Sequence, residues 1–151
     1  MHNTYISKKL NTLHRSLLEI VGVMNRPQRD EAMIQEAGIS LERALFSVLV
    51  LVERLGPIGV VELADRLGRD YTTVSRQVSK LEDLGLVSRM KNSKDRRIRE
   101  ATVTKSGKEI TDRIDEARIR IGQAIFEKWS SSDVDEFIRL IGKFANDIKE
   151  D

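Results

Sequence analysis

The 151-residue chain is 40% apolar and 33% charged, with an aromatic share of only 5%. That size suits one domain, and this composition, with two prolines, reads as globular and helix-rich and excludes an all-β sandwich. Cysteine is absent, which excludes disulfides, cysteine-zinc sites and thiol redox switches.

The segment from Met1 to Leu18 has no continuous apolar run, so no signal peptide is expected. The longest apolar run, Val48 to Val52, is far short of a membrane span. The expected location is the cytoplasm, with no cofactor and no metal. The formal net charge is only +2, but it is unevenly placed. Between Arg69 and Arg99 stand nine Lys/Arg and four Asp/Glu, whereas the rest of the chain holds 17 basic and 20 acidic residues. A basic segment within a mildly acidic body points to a polyanionic partner.

Apolar residues at three-to-four spacing, Leu10, Leu13, Leu17, Ile20 or Val21, and Met24, predict a first helix from about Ser7 to Met24. The polar stretch from Asn25 to Gly38 reads as a connection with a helical turn around Ala32 to Glu36. Ser40 is the expected N-cap of a second helix ending near Leu55. Its stripe of Leu41, Leu45, Val48, Leu49 and Val52 is widened by Phe46 and Leu51, as expected of a helix central in a bundle. Gly56-Pro57 ends it, because proline cannot continue the hydrogen-bond ladder.

Val60 to Leu67 predicts a short helix with Gly68 as its stop. Asp70 is placed to cap the next helix, Tyr71 to about Leu84, which Gly85 ends. Two short helices joined by a tight glycine-bearing turn form a helix-turn-helix. Leu86 to Met90 and Arg97 to Val103 then read as strands around the polar turn Asn92 to Arg96, a hairpin wing. A long helix follows from Thr104 or Ser106 to about Trp129, with Ile110, Ile114, Ala117, Ile121 and Ile125 at helical spacing. Ser130 to Ser132 breaks it. A last helix starts near Ser131 or Ser132, with Val134, Phe137, Ile138, Ile141, Phe144, Ala145 and Ile148 on its apolar face. The expected fold class is mainly α with a small β-hairpin wing: a winged helix-turn-helix over about 40–104, plus terminal helical regions, 1–38 and 106–151.

Turning the helix Tyr71 to Leu84 by about 100° per residue puts Val74, Val78 and Leu81 on one side. Thr72, Thr73, Arg76, Ser79 and Lys80 fall opposite, and Arg69 extends that face at the helix entrance. Such a face suits the major groove of double-stranded DNA. Arg76 is the candidate base reader, since its fork matches guanine O6 and N7. Thr72, Thr73 and Ser75 are candidates for thymine methyls or phosphates, and Lys80 for a phosphate. The hairpin carries Lys91, Lys94, Arg96, Arg97 and Arg99, a cationic ribbon suited to the narrow minor groove, entered by Arg96 or Arg97. Asp95 within it is expected to pair with an arginine and fix the turn.

The run from Glu62 to Glu109 resembles the MarR family of bacterial regulators. It is carried by Leu63-Ala64, Val74-Ser75-Arg76, Leu84-Gly85-Leu86-Val87, Asp95-Arg96-Arg97, and Val103-Thr104 followed by Gly107. The flanking helical regions fit as well. The resemblance implies a winged-helix homodimer whose terminal helices interleave and whose two reading helices meet a pseudo-palindrome. It implies Arg97 as the minor-groove arginine with Asp95 as its structural partner. It also implies a repressor relieved by a small aromatic or phenolic effector, for which Tyr5, His14, Arg43 and Trp129 are the candidate contacts. Asp70 and Tyr71 depart from the small polar or basic residues frequent there, and the absence of cysteine argues against the family's peroxide-sensing branch. An enzyme is not expected: the chain has only His2 and His14, no Gly-rich phosphate loop, and carboxylates such as Asp133, Asp135 and Glu136 that suit a helix start. The rival reading is a winged helix that docks protein without specific DNA binding, which would not need Arg76, Lys80 and the wing cations together.

Overall fold

The computed structural model describes residues 2–149. The chain divides into two compact units, residues 1–115 and 116–151. The elements in order are α1 (His2–Met24), α2 (Pro27–Glu36), α3 (Arg43–Leu55), β1 (Ile58–Gly59), α4 (Val60–Leu67), α5 (Tyr71–Asp83), β2 (Val87–Lys91), β3 (Arg99–Val103), α6 (Lys105–Phe126) and α7 (Ser131–Ile148).

The first three helices differ from the sequence reading. Helix α1 starts five residues earlier than Ser7, whose hydroxyl donates back to the Asn3 carbonyl at 2.9 Å inside the helix. The stretch read as a connection is a ten-residue helix, α2. Pro27 opens it, where a missing N–H costs nothing, and Met33 supplies the buried contact that offsets its polar composition. Ser40 is not the cap of α3; the chain enters that helix through Glu42, without a side-chain cap. Burial of Leu45, Phe46, Val48, Leu49 and Val52 holds α3 in place of a cap.

In the first unit one core joins α3, α4, α5 and the sheet. Leu49, Leu63, Val74, Val78 and Leu81 are fully enclosed within it, beside Ile58, Val87 and Ala101. The sheet is antiparallel in the order β1-β3-β2. The two-residue β1 escapes the sequence reading because it is shorter than any period; it pairs Ile58 with Ala101 and Gly59 with Glu100. The hairpin register runs from Val87 opposite Val103 to Lys91 opposite Arg99. In the second unit Trp129 packs edge-on against Phe126 and Phe137, with centroids 5.0 and 5.6 Å away. Ser130 caps α7 by accepting from the Asp133 amide at 3.1 Å. Among the described residues no helix is long and apolar enough to cross a membrane.

The start of α6 locks against the end of α5. The Thr104 hydroxyl donates to the Gly85 carbonyl at 2.6 Å and accepts from the Gly107 amide at 3.0 Å, while the Thr104 amide donates to Leu86 at 3.0 Å. Gly107 is buried here, and a Cβ on it would overlap the Leu86 carbonyl and the Val103 side chain. Gly107→Ala is therefore expected to destabilise the fold by at least about 1–3 kcal/mol, the usual cost of overpacking a tight site. Thermal unfolding checks this; an unchanged midpoint would show that the junction yields easily.

Candidate nucleic-acid interface

Helix α5 owes its orientation to its buried stripe and to two fastenings at its ends. Gly68 takes a left-handed φ of 64°, which lets α4 stop and the chain turn within the three residues that precede α5. Asp70 then caps α5. Its carboxylate accepts from the Thr73 amide at 2.8 Å and from the Thr73 hydroxyl at 2.7 Å. Those bonds, led by the hydroxyl, hold the Asp70 carboxyl below its ordinary 3.8. Thr73 is thus partly committed inside the protein, its hydroxyl proton given to the cap.

With the stripe buried, Thr72, Arg76 and Lys80 are exposed along one face of α5. Among the described residues no hydrogen bond or ion pair engages the Arg76 guanidinium or the Lys80 ammonium, although Arg76 is near enough to Asp70 to help hold its carboxyl down, so both cations are open to an incoming anion. Tyr71 stands exposed at the first position of the helix. Ser75 is half-buried on the flank. Arg69, expected on this face, is turned inward instead. Its guanidinium donates to the Ala44 carbonyl at 3.0 Å, to Gln77 at 3.0 Å and to the Ser47 hydroxyl at 2.7 Å. The glycine turn aims this side chain back at α3, where it joins α3 to α5.

The wing tip is built by two short side chains. Asn92 Oδ1 accepts from the amides of Lys94 and Asp95 at 2.7 and 2.9 Å, and Asn92 Nδ2 donates to Glu100 at 2.9 Å. This Asx-type turn is a signal the sequence reading passed over. Asp95 accepts from the Arg97 amide and Nε, both at 3.1 Å, and from Nη2 at 3.2 Å. The Arg97 side chain, first among these causes, holds the Asp95 carboxyl below its ordinary 3.8. Arg97 is nonetheless 91% exposed, so the pair sets its direction without covering it. Lys94 and Arg96 are exposed beside it. Between the tip and α5 lies a cleft of about 520 Å³, lined by Gly59, Val60, Val61, Tyr71, Arg89, Arg97, Ile98 and Arg99.

The four candidate effector contacts are distributed over both units. Tyr5 and His14 stand exposed on α1, Arg43 opens α3, and Trp129 belongs to the second unit. Within the second unit a cavity of about 420 Å³ beside Trp129 is lined by Lys128, Asp133, Glu136, Phe137 and Leu140. Among the described residues no cluster of His, Asp or Glu has the arrangement of a metal site.

A helix-turn-helix with an exposed basic second helix, followed by a hairpin with cations at its tip, defines a winged helix-turn-helix protein. The family model described as MarR family matches residues 41–98. An uncharacterized HTH-type transcriptional regulator of Bacillus subtilis (strain 168), YxaD, is 30% identical over 102 residues, 68% of this chain and 71% of that protein. The chain belongs to the MarR family of transcriptional regulators, which are not enzymes. A MarR family protein from Bacillus stearothermophilus has the same fold, with a TM-score of 0.78 at 20% identity over 95% of this chain and 97% of that one. A MarR transcriptional regulator from Methanosarcina mazei superimposes with a TM-score of 0.61 at 25% identity over 98% and 99% of the two chains.

Two predictions follow from the fastenings. Arg69→Met is expected to lower stability by about 1–3 kcal/mol, because it leaves acceptors on α3 and α5 without their charged donor; chemical denaturation reads this directly. Asp70→Ala is expected to lower the thermal midpoint at pH 7. The folded-state carboxyl of Asp70 is depressed, so its stabilisation is present above about pH 4 and is lost as pH falls through the depressed value. The gap between native and Asp70→Ala midpoints should therefore close on acidification; a gap constant down to pH 3 would exclude the charged cap.

Proposed function

We propose that the protein is a homodimeric, sequence-specific double-stranded DNA-binding regulator of transcription, acting in the cytoplasm as a repressor. The carrying observation is the joint display of exposed cations on two elements: Arg76 and Lys80 on α5, Lys94 and Arg96 at the wing tip. Arg97, directed by Asp95, adds a cation aimed outward. In this reading Arg76 contacts a base edge, Thr72 and Ser75 contact thymine methyls or phosphates, Lys80 neutralises a phosphate, and the wing enters the minor groove through Arg97. Arg69 and Thr73 act one step behind, orienting and capping the reading helix α5.

The dimer reading rests on uncovered apolar surface. Helix α1 exposes Ile6, Leu10, Leu13, Leu18, Ile20 and Val21, and none of its described side chains is buried. Helix α7 has an apolar face with no buried residue, and exposes Phe137, Ile138, Leu140, Ile141 and Ile148. Apolar faces of this length mark protein interfaces. A second copy of the chain would cover them and present two reading helices to a two-fold operator. A small aromatic or phenolic effector that favours one spacing of the two reading helices would relieve repression by shifting that equilibrium; Tyr5, His14, Arg43 and Trp129 remain the residues beside which to seek it.

The test is selection of binding sites from random duplex DNA, followed by a salt titration on the winner. A two-fold-symmetric site with half-sites about 10 base pairs apart is expected. Arg76→Ala should relax preference at one position per half-site by roughly 1–3 kcal/mol, and Arg97→Ala should reduce affinity and the salt slope. No enriched sequence, with weak and salt-erased binding, would sink this reading in favour of a protein-docking winged helix.

A further inference from the structure

Arg89 on β2 plays no part in the reading face, yet it makes the contacts that join the wing to α5. Its Nη2 donates to the Ser75 carbonyl at 2.8 Å and to the Ser79 hydroxyl at 2.8 Å. Its Nε lies 4.0 Å from Glu82 Oε1 and is otherwise buried without a hydrogen-bond partner. Ser75, Ser79 and Glu82 recur at helical spacing, so α5 carries a third stripe, between its core side and its exposed side, that faces a single guanidinium. The arginine side chain is 16% exposed. Burying such a charge costs desolvation that a methionine would avoid. What the arginine adds is direction: a planar fork that fixes where two elements sit.

We propose that Arg89 is a positioning residue that locks the wing to the reading helix, so that the contacts of Arg97 and of Arg76 with DNA form as one unit. The ladder supports this. From Arg89 opposite Ala101 the hairpin pairs without a break to Lys91 opposite Arg99, and the Asn92 amide closes it on the Ile98 carbonyl at 2.8 Å. Arg97 follows one residue beyond that closure, its direction set by Asp95. At the other end of the tie, the Ser75 carbonyl lies one residue from Arg76. A shift of the wing tip therefore acts through Arg89 on the turn of α5 that bears Arg76. Arg69 ties the same helix to α3 from its other side, which gives the pair a fixed reference.

This inference rests on the DNA-reading function above, and its test separates the two. In the full-length protein, affinity for the selected operator is measured for Arg76→Ala, Arg97→Ala and their double variant. The set is then repeated with Arg89→Met, which keeps length without donors, and with Ser79→Ala, which removes an acceptor without changing charge. In the native background the losses from Arg76→Ala and Arg97→Ala are expected to be non-multiplicative by threefold or more. With either Arg89→Met or Ser79→Ala they should become multiplicative, at an unchanged salt slope for Ser79→Ala. A coupling factor that is the same in all backgrounds overturns the proposal. Amide exchange without DNA reads the tie itself: the α5 amides around Ser79 should exchange several-fold faster in Ser79→Ala, whereas α4 should not change. Unchanged α5 exchange also overturns it. If the native chain selects no DNA sequence, the function proposed above fails and the exchange result alone decides the tie.

Discussion

Val74, Val78 and Leu81 lie under α5 with no exposure to solvent, packed in one core with Leu49 and Val52 of α3 and Leu63 of α4. A helix advances about 100° per residue, so burying that stripe leaves no freedom over what the opposite face displays. Thr72, Arg76 and Lys80 are outward because three aliphatic side chains are inward. Each such side chain contributes roughly 1.5–3 kcal/mol on burial, far more than any exposed cation loses or gains by its orientation. The core thus sets which face of α5 is exposed, and the cations follow it.

Polar contacts then sharpen an orientation that the core sets only coarsely. Apolar packing fixes which side of α5 faces in, and directional bonds hold its ends and flank in register with their neighbours. The Asp70 cap fixes the start of the helix, Arg69 holds it to α3, and Arg89 ties it to β2. Directional bonds at three points around one helix constrain it better than added hydrophobic area. The same logic shapes the wing. Asn92 and Asp95 supply the acceptors that a seven-residue polar turn needs, and Asp95 aims Arg97 while leaving it 91% exposed. Acidic residues inside a basic segment thus serve as fixtures for it.

The terminal helices pose the opposite situation. Both α1 and α7 have helical periodicity and apolar faces, but no buried side chain among the described residues. Helices of this kind owe their stability to tertiary or quaternary cover rather than to propensity. Their exposed leucines and isoleucines are the reason the proposed function includes a second copy of the chain. The second unit adds its own fixed point, the Phe126–Trp129–Phe137 cluster, which closes the turn between α6 and α7.

Local signals by themselves determined the helix-turn-helix, the hairpin and the basic character of the segment that bears them. Gly68 and Asp70 mark a turn and a cap through their own backbone and side-chain chemistry, and the Val74-Val78-Leu81 stripe is a period visible in one helix alone. The Asp95-Arg97 pair spans two residues and is equally local. What required the tertiary structure lies at long range. Whether Arg69 points out or in depends on acceptors at Ala44 and Ser47, more than twenty residues away in sequence. Helix α2 exists because Met33 finds a buried place, and β1 because Ala101 and Glu100 offer it an edge. Arg89 reads as one more cation in a basic run until β2 brings it under Ser75 and Ser79. A charged side chain carries no sign of its partner in its own neighbourhood. Sequence therefore settled which residues bear charge, and only folding decided which of those charges are left for another molecule.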